Sequence, residues 1–518
     1  MLKYLSLSLF LLPVSYALGQ KVTINWGPES KTELTYYSFV RGQGSDMIKL
    51  CFEENRKSIL PVITGYNNNL QEQATNSITV NEDGIKFDQF LSLQNNLFFF
   101  TNKYDKKAKT TSFFCQPLNI KTFKPEGSNM DLGTFDAVKK SEQSTVDYSI
   151  SKDSSKVLMM GLSPYSKNEA EKYYLAVYDN KMTKLWSNTV ELPYKDKYVD
   201  ILSNIVTNDG QVGIVLKHYE NETLKEDVRK NGKKAPSYTT KLLLYSKGDS
   251  KPHEFKIDIG DKFVHTLSLA DEDGKDLVLF GLYQLKAEGN VNGYFLAKVN
   301  SSTKKVTLNN LNAFPEALLS LVKKDKQGSD KEKDPGLGDN FKFVRAVSRN
   351  NGDKDYLLEF RYSRLITVRT QYSSYSYWLH TFGDIIDINV KPDGKHVLAR
   401  IPKYQQAMDD SKFLSFKALP YKDKLLFFYN DDNKNLQRDL SEKPEEIKFG
   451  KENATFAMAT IDADGNVSRS VLINSKETKF TTAVNVSFRV AENKIALYAS
   501  KGGRFSKSKD MIGLLEVN

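Results

Sequence analysis

Short runs of consecutive apolar residues recur along the chain, and each is followed by a second strand-like run. Eight such runs begin about 50–80 residues apart, at Met47–Phe52, Leu97–Phe100, Val157–Met160, Val212–Leu216, Leu277–Gly281, Tyr356–Phe360, Leu425–Tyr429 and Ile495–Ala499. Short apolar runs bounded by turn residues are typical of buried strands. The pattern therefore predicts a repeat built from strands.

A second pattern follows several of these runs. It consists of a strand, an Asn- or Asp-containing turn and a strand with polar alternation, and it recurs at 59–80, 173–192, 294–311, 385–401 and 456–473. The turns at Asp393-Gly394 and Asp464-Gly465 indicate hairpins, because Asp-Gly readily adopts the positive φ angles of a tight turn. With a first strand before each apolar run, each unit has four strands.

Such units predict an all-β fold: a single β-propeller of eight four-stranded blades. Seven blades is the alternative, because the first two units have weaker patterning. We place the units at 33–80, 87–130, 146–193, 199–259, 263–312, 341–403, 412–474 and 480–517. The last unit lacks a fourth strand, while Lys21–Trp26 is one strand left over at the start. We expect this N-terminal strand to complete the last blade and close the ring, which removes exposed sheet edges.

Two insertions interrupt the repeat, at about 314–339 and 363–382. The first begins with a predicted helix, Pro315–Val322, and continues as a Lys-, Asp- and Gly-rich loop. The second is aromatic, and loops between strands carry the specificity of a propeller. Its predicted binding residues are Tyr372, Tyr375, Tyr377, Trp378 and Phe382. Two interpretations are open: the aromatic side chains pack onto the neighbouring blade, or they form an exposed patch that contacts a partner protein or a sugar.

The first 19 residues predict a cleaved signal peptide. Lys3 supplies the positive charge, Tyr4–Val14 is apolar, and Ala17 and Gly19 stand at the −3 and −1 positions. The apolar stretch is too short to span a bilayer, and the mature chain has no other candidate transmembrane segment. We therefore expect residues 1–19 to be the leader and 20–518 the propeller domain. The mature protein is then exported and periplasmic or associated with the outer membrane.

Composition adds to the all-β prediction and limits the partners. The chain is 40% hydrophobic and 12% aromatic, with the Tyr, Phe, Val and Ile that suit strands. Its net charge is +10, but 74 basic residues are scattered among 64 acidic ones. The two Lys-rich clusters, 225–234 and 323–333, contain both signs and indicate solvated loops. A nucleic-acid-binding protein concentrates basic residues on one face, so no nucleic-acid partner is predicted.

Recognisable catalytic patterns are missing from the sequence. The five histidines do not stand at metal-ligand spacing, and no G-x-S-x-G motif occurs. We therefore predict no cofactor and lean towards a protein without enzymatic activity. Paired carboxylates at a channel mouth would still permit a glycosidase. The two cysteines, Cys51 and Cys115, are predicted on different units, and both a disulfide and two buried free thiols remain open.

One segment has a weak resemblance to a calcium loop. Asp431, Asn433 and Asn435 alternate like the first three calcium ligands. However, Leu436 stands where the loop needs Gly, and no Glu follows at the bidentate position. The other interpretation is a polar turn with side-chain to backbone hydrogen bonds. No other metal site is predicted.

The segment 384–435 carries a family resemblance. It contains Ile401-Pro402-Lys403-Tyr404-Gln405, followed by an aromatic strand that ends at Asn430-Asp431. It is similar to uncharacterised extracytoplasmic β-propeller-like proteins of Bacteroidota-type bacteria, as are the leader and the Lys-, Asn- and Tyr-rich composition. The resemblance implies a fold and a compartment but no activity.

We therefore expect a non-catalytic interaction scaffold or accessory subunit at the cell envelope. Its partner would be an envelope or outer-membrane protein, bound by the aromatic insertion together with the insertion at 314–339. The alternative is a carbohydrate-binding or glycoside-cleaving propeller with a glycan ligand.

Overall fold

The computed structural model describes residues 21–31, 37–41, 47–55, 58–78, 84–139, 142–221, 224–230, 232–272, 276–300, 303, 305–308, 311–324, 336–369, 374–447, 449, 454–474, 479–503 and 506–518. The predicted leader lies outside these residues. In the described part of the chain, the regular structure consists of strands, one α-helix, α1 (Glu316–Lys324), and three short 3-10 turns, at Asp196–Tyr198, Asn435–Gln437 and Val484–Val486.

The strands form antiparallel sheets, numbered here in chain order. The chain begins with β1 (Val22–Trp26) and β2 (Ser30–Lys31). Sheet 1 contains β3 (Tyr37–Arg41), β4 (Met47–Asn55), β5 (Ser58–Tyr66) and β6 (Glu72–Ser77). Sheet 2 contains β7 (Ile85–Leu93), β8 (Asn96–Asp105), β9 (Thr110–Leu118), β10 (Met130–Lys139) and β11 (Glu142–Gln143). Sheet 3 contains β12 (Thr145–Ile150), β13 (Lys156–Leu162), β14 (Ala170–Asp179) and β15 (Lys184–Lys195).

The following sheets repeat this order. Sheet 4 begins with β16 (Val199–Val206) and β17 (Val212–Tyr219); a separate ribbon of β18 (Asp227–Lys230) and β19 (Lys233–Pro236) precedes its last strands, β20 (Tyr238–Tyr245) and β21 (His253–Ile257). Sheet 5 contains β22 (Phe263–Glu272), β23 (Asp276–Gln284), β24 (Val291–Asn300), β25 (Lys305–Leu308) and β26 (Asn312–Ala313).

The last three sheets include the longest strands. Sheet 6 contains β27 (Phe341–Ser348), β28 (Lys354–Arg369), β29 (Ser374–Val390), β30 (His396–Ile401) and β31 (Gln405–Met408). Sheet 7 contains β32 (Phe416–Tyr421), β33 (Lys424–Asp432), β34 (Ala454–Ile461) and β35 (Val467–Asn474). Sheet 8 contains β36 (Thr481–Thr482), β37 (Phe488–Ala491), β38 (Lys494–Gly503) and β39 (Ser506–Val517), together with β1 and β2.

Each predicted apolar run lies in a strand that has a neighbour on both sides, namely β4, β8, β13, β17, β23, β28, β33 and β38. In β33 every residue after Lys424 is buried. A strand that is covered on both faces needs apolar residues at consecutive positions, which explains why these runs do not alternate. Fourth strands such as β6 and β15 alternate over most of their length, because one of their faces is solvated. The all-β prediction is confirmed.

Consecutive sheets pack through shared hydrophobic clusters. Leu50 of sheet 1 packs with Phe99 of sheet 2, and clusters of the same kind join every later pair of consecutive sheets. A further cluster contains Met47 of sheet 1 with Ala496 and Tyr498 of sheet 8. The first and last sheets therefore pack against each other as well.

The N-terminal strand lies beside the C-terminal one. β1 pairs with β39 in antiparallel register, with Val22 opposite Val517 and Trp26 opposite Gly513. The approach is close, since a Cβ on Gly513 would lie 2.7 Å from the Trp26 ring. Just beyond β1, the backbone N–H of Asn518 donates to the Lys21 carbonyl at 2.9 Å.

Three local predictions are refined by the structure. The second unit was predicted to end at 130, whereas its fourth strand is β10, whose register shifts between Asp131 and Gly133. The predicted helix is α1, and Leu318 and Val322 are buried between sheets 5 and 6. Part of the 314–339 insertion is therefore core; residues 325–335 lie outside the described part.

The 225–234 cluster, predicted as a solvated loop, includes most of the β18–β19 ribbon. The base of this ribbon is fixed by the ion pair of Lys217 Nζ with Glu226 Oε1 at 2.9 Å.

Candidate functional site

The aromatic insertion is a continuation of two strands of sheet 6. β28 and β29 extend beyond the sheet as a two-stranded ribbon of residues 361–369 and 374–382, called here the aromatic ribbon. Leu365 lies opposite Trp378, Ile366 opposite Tyr377 and Val368 opposite Tyr375. β-Branched and aromatic residues suit such cross-strand pairs, which explains why the segment forms strands instead of a loop.

The alternation of strand side chains gives the ribbon two distinct faces. Directly opposed residues share a face, and so do residues two apart along a strand. One face therefore carries a nearly continuous apolar set, comprising Tyr362, Ile366, Val368, Tyr375, Tyr377, Leu379 and Met408. The opposite face carries the Leu365–Trp378 pair. Met408 joins the set from β31, which pairs with β29 at the root of the ribbon.

Several of these apolar side chains are exposed. On the apolar face these are Tyr362, Tyr375 and Met408, whereas Ile366, Val368, Tyr377 and Leu379 are half-buried. The exposed fractions are 56% for Tyr375, 55% for Leu365, 49% for Trp378 and 62% for Met408. The rings of Tyr375 and Tyr377 stack with centroids 6.3 Å apart. Packing onto a neighbouring sheet would bury these side chains. Exposed apolar side chains gathered on one ribbon are instead the usual sign of an interaction surface.

The predicted binding residues divide between the patch and its surroundings. Tyr375, Tyr377 and Trp378 lie on the ribbon, while Tyr372 lies outside the described residues. Phe382 is not part of the exposed patch: only 8% of it is exposed, because it lies at the root of the ribbon, where the Arg361 guanidinium is 5.1 Å from its ring centroid.

Sequence reasoning missed Leu365 and Met408. Leu365 belongs to the ribbon because it lies opposite Trp378. In the sequence, only the register of the hairpin could have predicted this pairing. Met408 follows the fourth strand of the unit, and nothing in its neighbourhood predicts that β31 returns to β29. The positive charge of the segment is visible in the sequence, since 361–382 contains three Arg and no acidic residue. Trp, Tyr and Arg are the residues enriched at the centres of protein interfaces.

A buried ionic network holds the root of the ribbon. Lys403 Nζ lies 2.7 Å from Glu359 Oε1, and both side chains are fully buried. Arg361 Nε donates to Glu359 Oε2 at 2.7 Å, and Ser415 Oγ donates to the same oxygen at 2.9 Å. Burial lowers the pKa of Lys403, and the Glu359 carboxylate opposes that shift. The ribbon therefore leaves the sheet from a point where strand β28 is fixed by charge-assisted contacts.

The network continues through Gln405 into the next two sheets. Its Oε1 accepts hydrogen bonds from Ser415 N at 2.8 Å and Lys403 Nζ at 3.1 Å, and its Nε2 donates to the Asn430 carbonyl at 2.8 Å. Asn430 Nδ2 donates in turn to the Thr482 carbonyl at 2.7 Å in sheet 8. The Ile-Pro-Lys-x-Gln segment, whose resemblance is described above, thus forms a polar connection between sheets 6, 7 and 8.

Asp431 and Asn435, two of the weak calcium candidates, lie next to this network. Asn435 Nδ2 donates to Asp431 Oδ1 at 2.7 Å, and Asn435 Oδ1 accepts from Glu445 N at 2.7 Å. The amide nitrogen of Asn435, and not its oxygen, therefore faces the carboxylate. Burial raises the pKa of Asp431 to about 7. Asn433 lies between them, in the turn directly after β33. Among the described residues, no group of three or more His, Cys, Asp and Glu side chains could hold a metal ion.

A second buried cluster joins sheets 6 and 7. Arg349 donates to both carboxylate oxygens of Asp355, at 2.8 and 2.7 Å, and to Asp387 at 3.3 Å. It also donates to the carbonyls of Asp423 and Asp462 in sheet 7. Burial, and then Asp355, raise the pKa of Asp387 well above its usual value. A glycosidase needs carboxyl groups that reach a substrate, whereas these two are fully buried.

The two cysteines are buried free thiols. Burial raises the pKa of Cys51 to about 11 and that of Cys115 to about 12. A thiol of this kind is almost entirely protonated near neutral pH and is therefore a poor nucleophile. In the described part of the chain, no helix is long and apolar enough to cross a membrane.

Comparison with known proteins finds only weak structural similarities. The chain matches no protein-family model and no curated protein. It is similar to the β-propeller domain of the Trilobed protease from Pyrococcus furiosus, described as having an open velcro topology, at 10% identity over 72% of this chain and 94% of that chain, with a TM-score of 0.34. The WD40 domain of SCAP from fission yeast is 7% identical over 96% and 98%, with a TM-score of 0.36. A polysaccharide lyase is 10% identical over 95% and 100%, with a TM-score of 0.37.

These TM-scores are below 0.5, so the similarities carry no argument about this chain. The similar structures include β-propeller proteins, and this chain is all-β with many small sheets. The predicted relation to Bacteroidota-type proteins stays a prediction.

Proposed function

We propose that this protein is a non-catalytic interaction scaffold that contacts a partner protein through the aromatic ribbon. The observation that carries the proposal is the exposure of Tyr362, Tyr375 and Met408 on one face of the ribbon and of the Leu365–Trp378 pair on the other. The strands that carry them are fixed at their root by buried ionic contacts. Trp and Tyr bury about 150–250 Å² each and lose little entropy on binding. A ribbon that is rigid before it binds loses less free energy to ordering when the complex forms.

The rest of the fold serves as the support of this ribbon. In our proposal the eight sheets are blades of one closed propeller, and β1 completes the last blade. Two observations support closure: the pairing of β1 with β39, and the hydrophobic cluster shared by sheets 1 and 8. A closed ring leaves few free sheet edges for aggregation.

The proposed location is the periplasm or the outer membrane, with a protein of the envelope as partner. The support is the predicted leader of residues 1–19 and the segment resemblance. Fractionation of the native cells tests it: the protein should appear in the envelope or periplasmic fraction and begin at Gln20. Recovery of an uncleaved chain in the cytoplasmic fraction would contradict the location.

The docking proposal is tested by comparing two variants in the native cells. The double variant Leu365→Ser/Trp378→Ser removes the pair on one face of the ribbon without touching the buried root. The control, Tyr165→Ser, removes a similarly exposed aromatic side chain of sheet 3, which is 69% exposed. After chemical cross-linking, the ribbon variant should lose a co-purifying protein that the control retains. Equal recovery with both variants would contradict the proposal.

The alternative function is carbohydrate binding. The same exposed rings of Tyr375 and Trp378 favour it, since aromatic faces also stack on sugars. A glycan array separates the two possibilities: binding that is lost in the Trp378→Ser variant would support a glycan ligand. Hydrolysis of chromogenic glycosides, abolished by changing one carboxylate, would contradict the non-catalytic assignment.

A further inference from the structure

One edge of the aromatic ribbon has no neighbouring strand among the described residues. β27 pairs with β28 only up to Phe360, and Arg361 N donates to the Asn340 carbonyl at 2.9 Å. Beyond Arg361, β28 pairs with β29 alone. The other edge of the ribbon is shorter, because β31 covers β29 from Leu379 to Phe382. The long open edge of the ribbon therefore belongs to β28.

The backbone of this edge points outwards at every second residue. Trp378 N donates to Asp409 Oδ1 at 2.9 Å, and Asp409 N donates to the Trp378 carbonyl at 2.8 Å. The backbone of Trp378 thus faces away from β28, and in an antiparallel pair the residue directly opposite, Leu365, faces away from β29. Because the register is continuous from 361 to 369, the same holds for the other residues of this alternation, namely Ser363, Thr367 and Arg369.

This edge lacks the features that usually block a sheet edge. Natural proteins protect such edges with proline, a bulge or a covering segment. From 362 to 369 the sequence contains no proline, and the register with β29 does not shift. A ribbon of two strands is only marginally stable in water, whereas a third strand stabilises it. The edge can therefore receive a third strand.

The charge of the ribbon indicates what that strand contains. Residues 361–382 include three Arg and no acidic residue, and Arg364 and Arg369 are exposed, without an ion pair in the described part of the chain. Asp409 and Asp410, which follow β31, have other partners. A second copy of β28 would place Arg side chains on neighbouring strands, and like charges that face each other destabilise a strand pair. An acidic strand is favoured instead.

We propose that the partner protein adds an extended acidic segment to β28 as the third strand of the aromatic ribbon. Main-chain hydrogen bonds to every second residue from Ser363 to Arg369 hold this segment. Arg364 and Arg369 lie on opposite faces of the ribbon, because side chains alternate along a strand. The segment therefore carries a carboxylate on each face, bound by two parallel N–H···O bonds from a guanidinium. This inference rests on the proposed function, since it specifies how the ribbon contacts its partner.

Thr367→Pro tests the backbone contact, with Thr367→Ala as the matched control. Both variants lose the side-chain hydrogen bond to Ser376, but only proline removes the outward N–H, which the pairing with β29 does not use. The full-length protein is cross-linked in the native cells, beside Leu365→Ser/Trp378→Ser. Recovery of the partner should fall about tenfold with Thr367→Pro, because one hydrogen bond is lost and the ring crowds the added strand. Thr367→Ala should recover it at the wild-type level.

A pair of double variants tests the charge. Arg364→Glu/Arg369→Glu should lose the partner, because carboxylates would then face carboxylates. Arg364→Lys/Arg369→Lys keeps both positive charges and should retain most of the recovery. Equal recovery with the two double variants overturns the acidic assignment.

Failure of this inference differs from failure of the proposed function. If Leu365→Ser/Trp378→Ser loses the partner and Thr367→Pro retains it, strand addition is overturned and the ribbon contact stands. If Leu365→Ser/Trp378→Ser retains the partner, both are overturned. A second measurement needs no variant: in the purified complex, amide hydrogen exchange at 363–369 should slow by about tenfold or more relative to the free protein. Unchanged exchange there overturns strand addition, whether or not Thr367→Pro folds.

Discussion

Replacing Lys403 by Met removes one member of a fully buried ion pair. The Glu359 carboxylate would keep Arg361 Nε at 2.7 Å and Ser415 Oγ at 2.9 Å, but it would lose the ammonium group at 2.7 Å. Breaking a buried pair on one side typically costs about 3–5 kcal/mol, because it leaves a charge without its partner. Since Arg361 remains, we expect the lower end, about 3 kcal/mol.

The companion variant Lys403→Met/Glu359→Gln distinguishes this mechanism from a simple loss of packing. The Gln amide oxygen can still accept hydrogen bonds from Arg361 and Ser415, and no unpaired carboxylate remains. Replacement of both members of a buried pair is often nearly neutral, so the double variant should recover about 2 kcal/mol relative to Lys403→Met.

Urea unfolding of the wild type, both single variants and the double variant gives the coupling energy of the pair. The slope of each curve must stay constant for the comparison to hold. If the effects of the two substitutions simply add, or if Lys403→Met is as stable as the wild type, the ionic network does not hold sheets 6 and 7 together as described.

Three further predictions concern other parts of the fold. Burial raises the pKa of Asp431 from 3.8 to about 7. Its contribution to stability is therefore full below pH 4, falls as the pH rises from there, and is lost once the pH has passed through 7. Asp431→Asn should gain urea resistance relative to the wild type from pH 5 to 7 and keep that gain above pH 7; a constant difference from pH 5 to 7 would contradict this. Gly513→Ala should displace Trp26, whose ring would lie 2.7 Å from the new Cβ, and should speed hydrogen exchange across 22–26; unchanged exchange would contradict the close packing. The native protein should resist thiol reagents at pH 8, because burial raises the pKa values of Cys51 and Cys115 to about 11 and about 12, and it should release two thiols when denatured without reductant; release of none would indicate a disulfide.

The strands with two neighbours were the easiest part to predict. A strand such as β33 is buried on both faces, so its sequence is apolar at consecutive positions and stands out against the polar turns around it. The fourth strand β10 was harder, since its bulge between Asp131 and Gly133 interrupts the alternation. The unit was therefore predicted to end before this strand.

Only part of the candidate site could be predicted from the sequence. Its aromatic residues were visible, but the segment was predicted as a loop insertion, and strand propensity alone does not say that β28 and β29 continue past the sheet. The root network was not predictable, because Glu359, Lys403 and Ser415 are brought together by three separate strands and connections. Asp431 and Asn435 show the same limit: alternation suggests ligand types, but only the fold decides which atom of Asn435 faces the carboxylate.

The central claim is that the aromatic ribbon contacts a partner protein. The most direct measurement places a photoreactive benzoylphenylalanine at position 378 and, as a matched control, at position 165, in protein produced by the native cells. On irradiation, position 378 should give one defined adduct with another protein, and position 165 should not. No adduct at position 378, or the same adducts at both positions, would contradict the account.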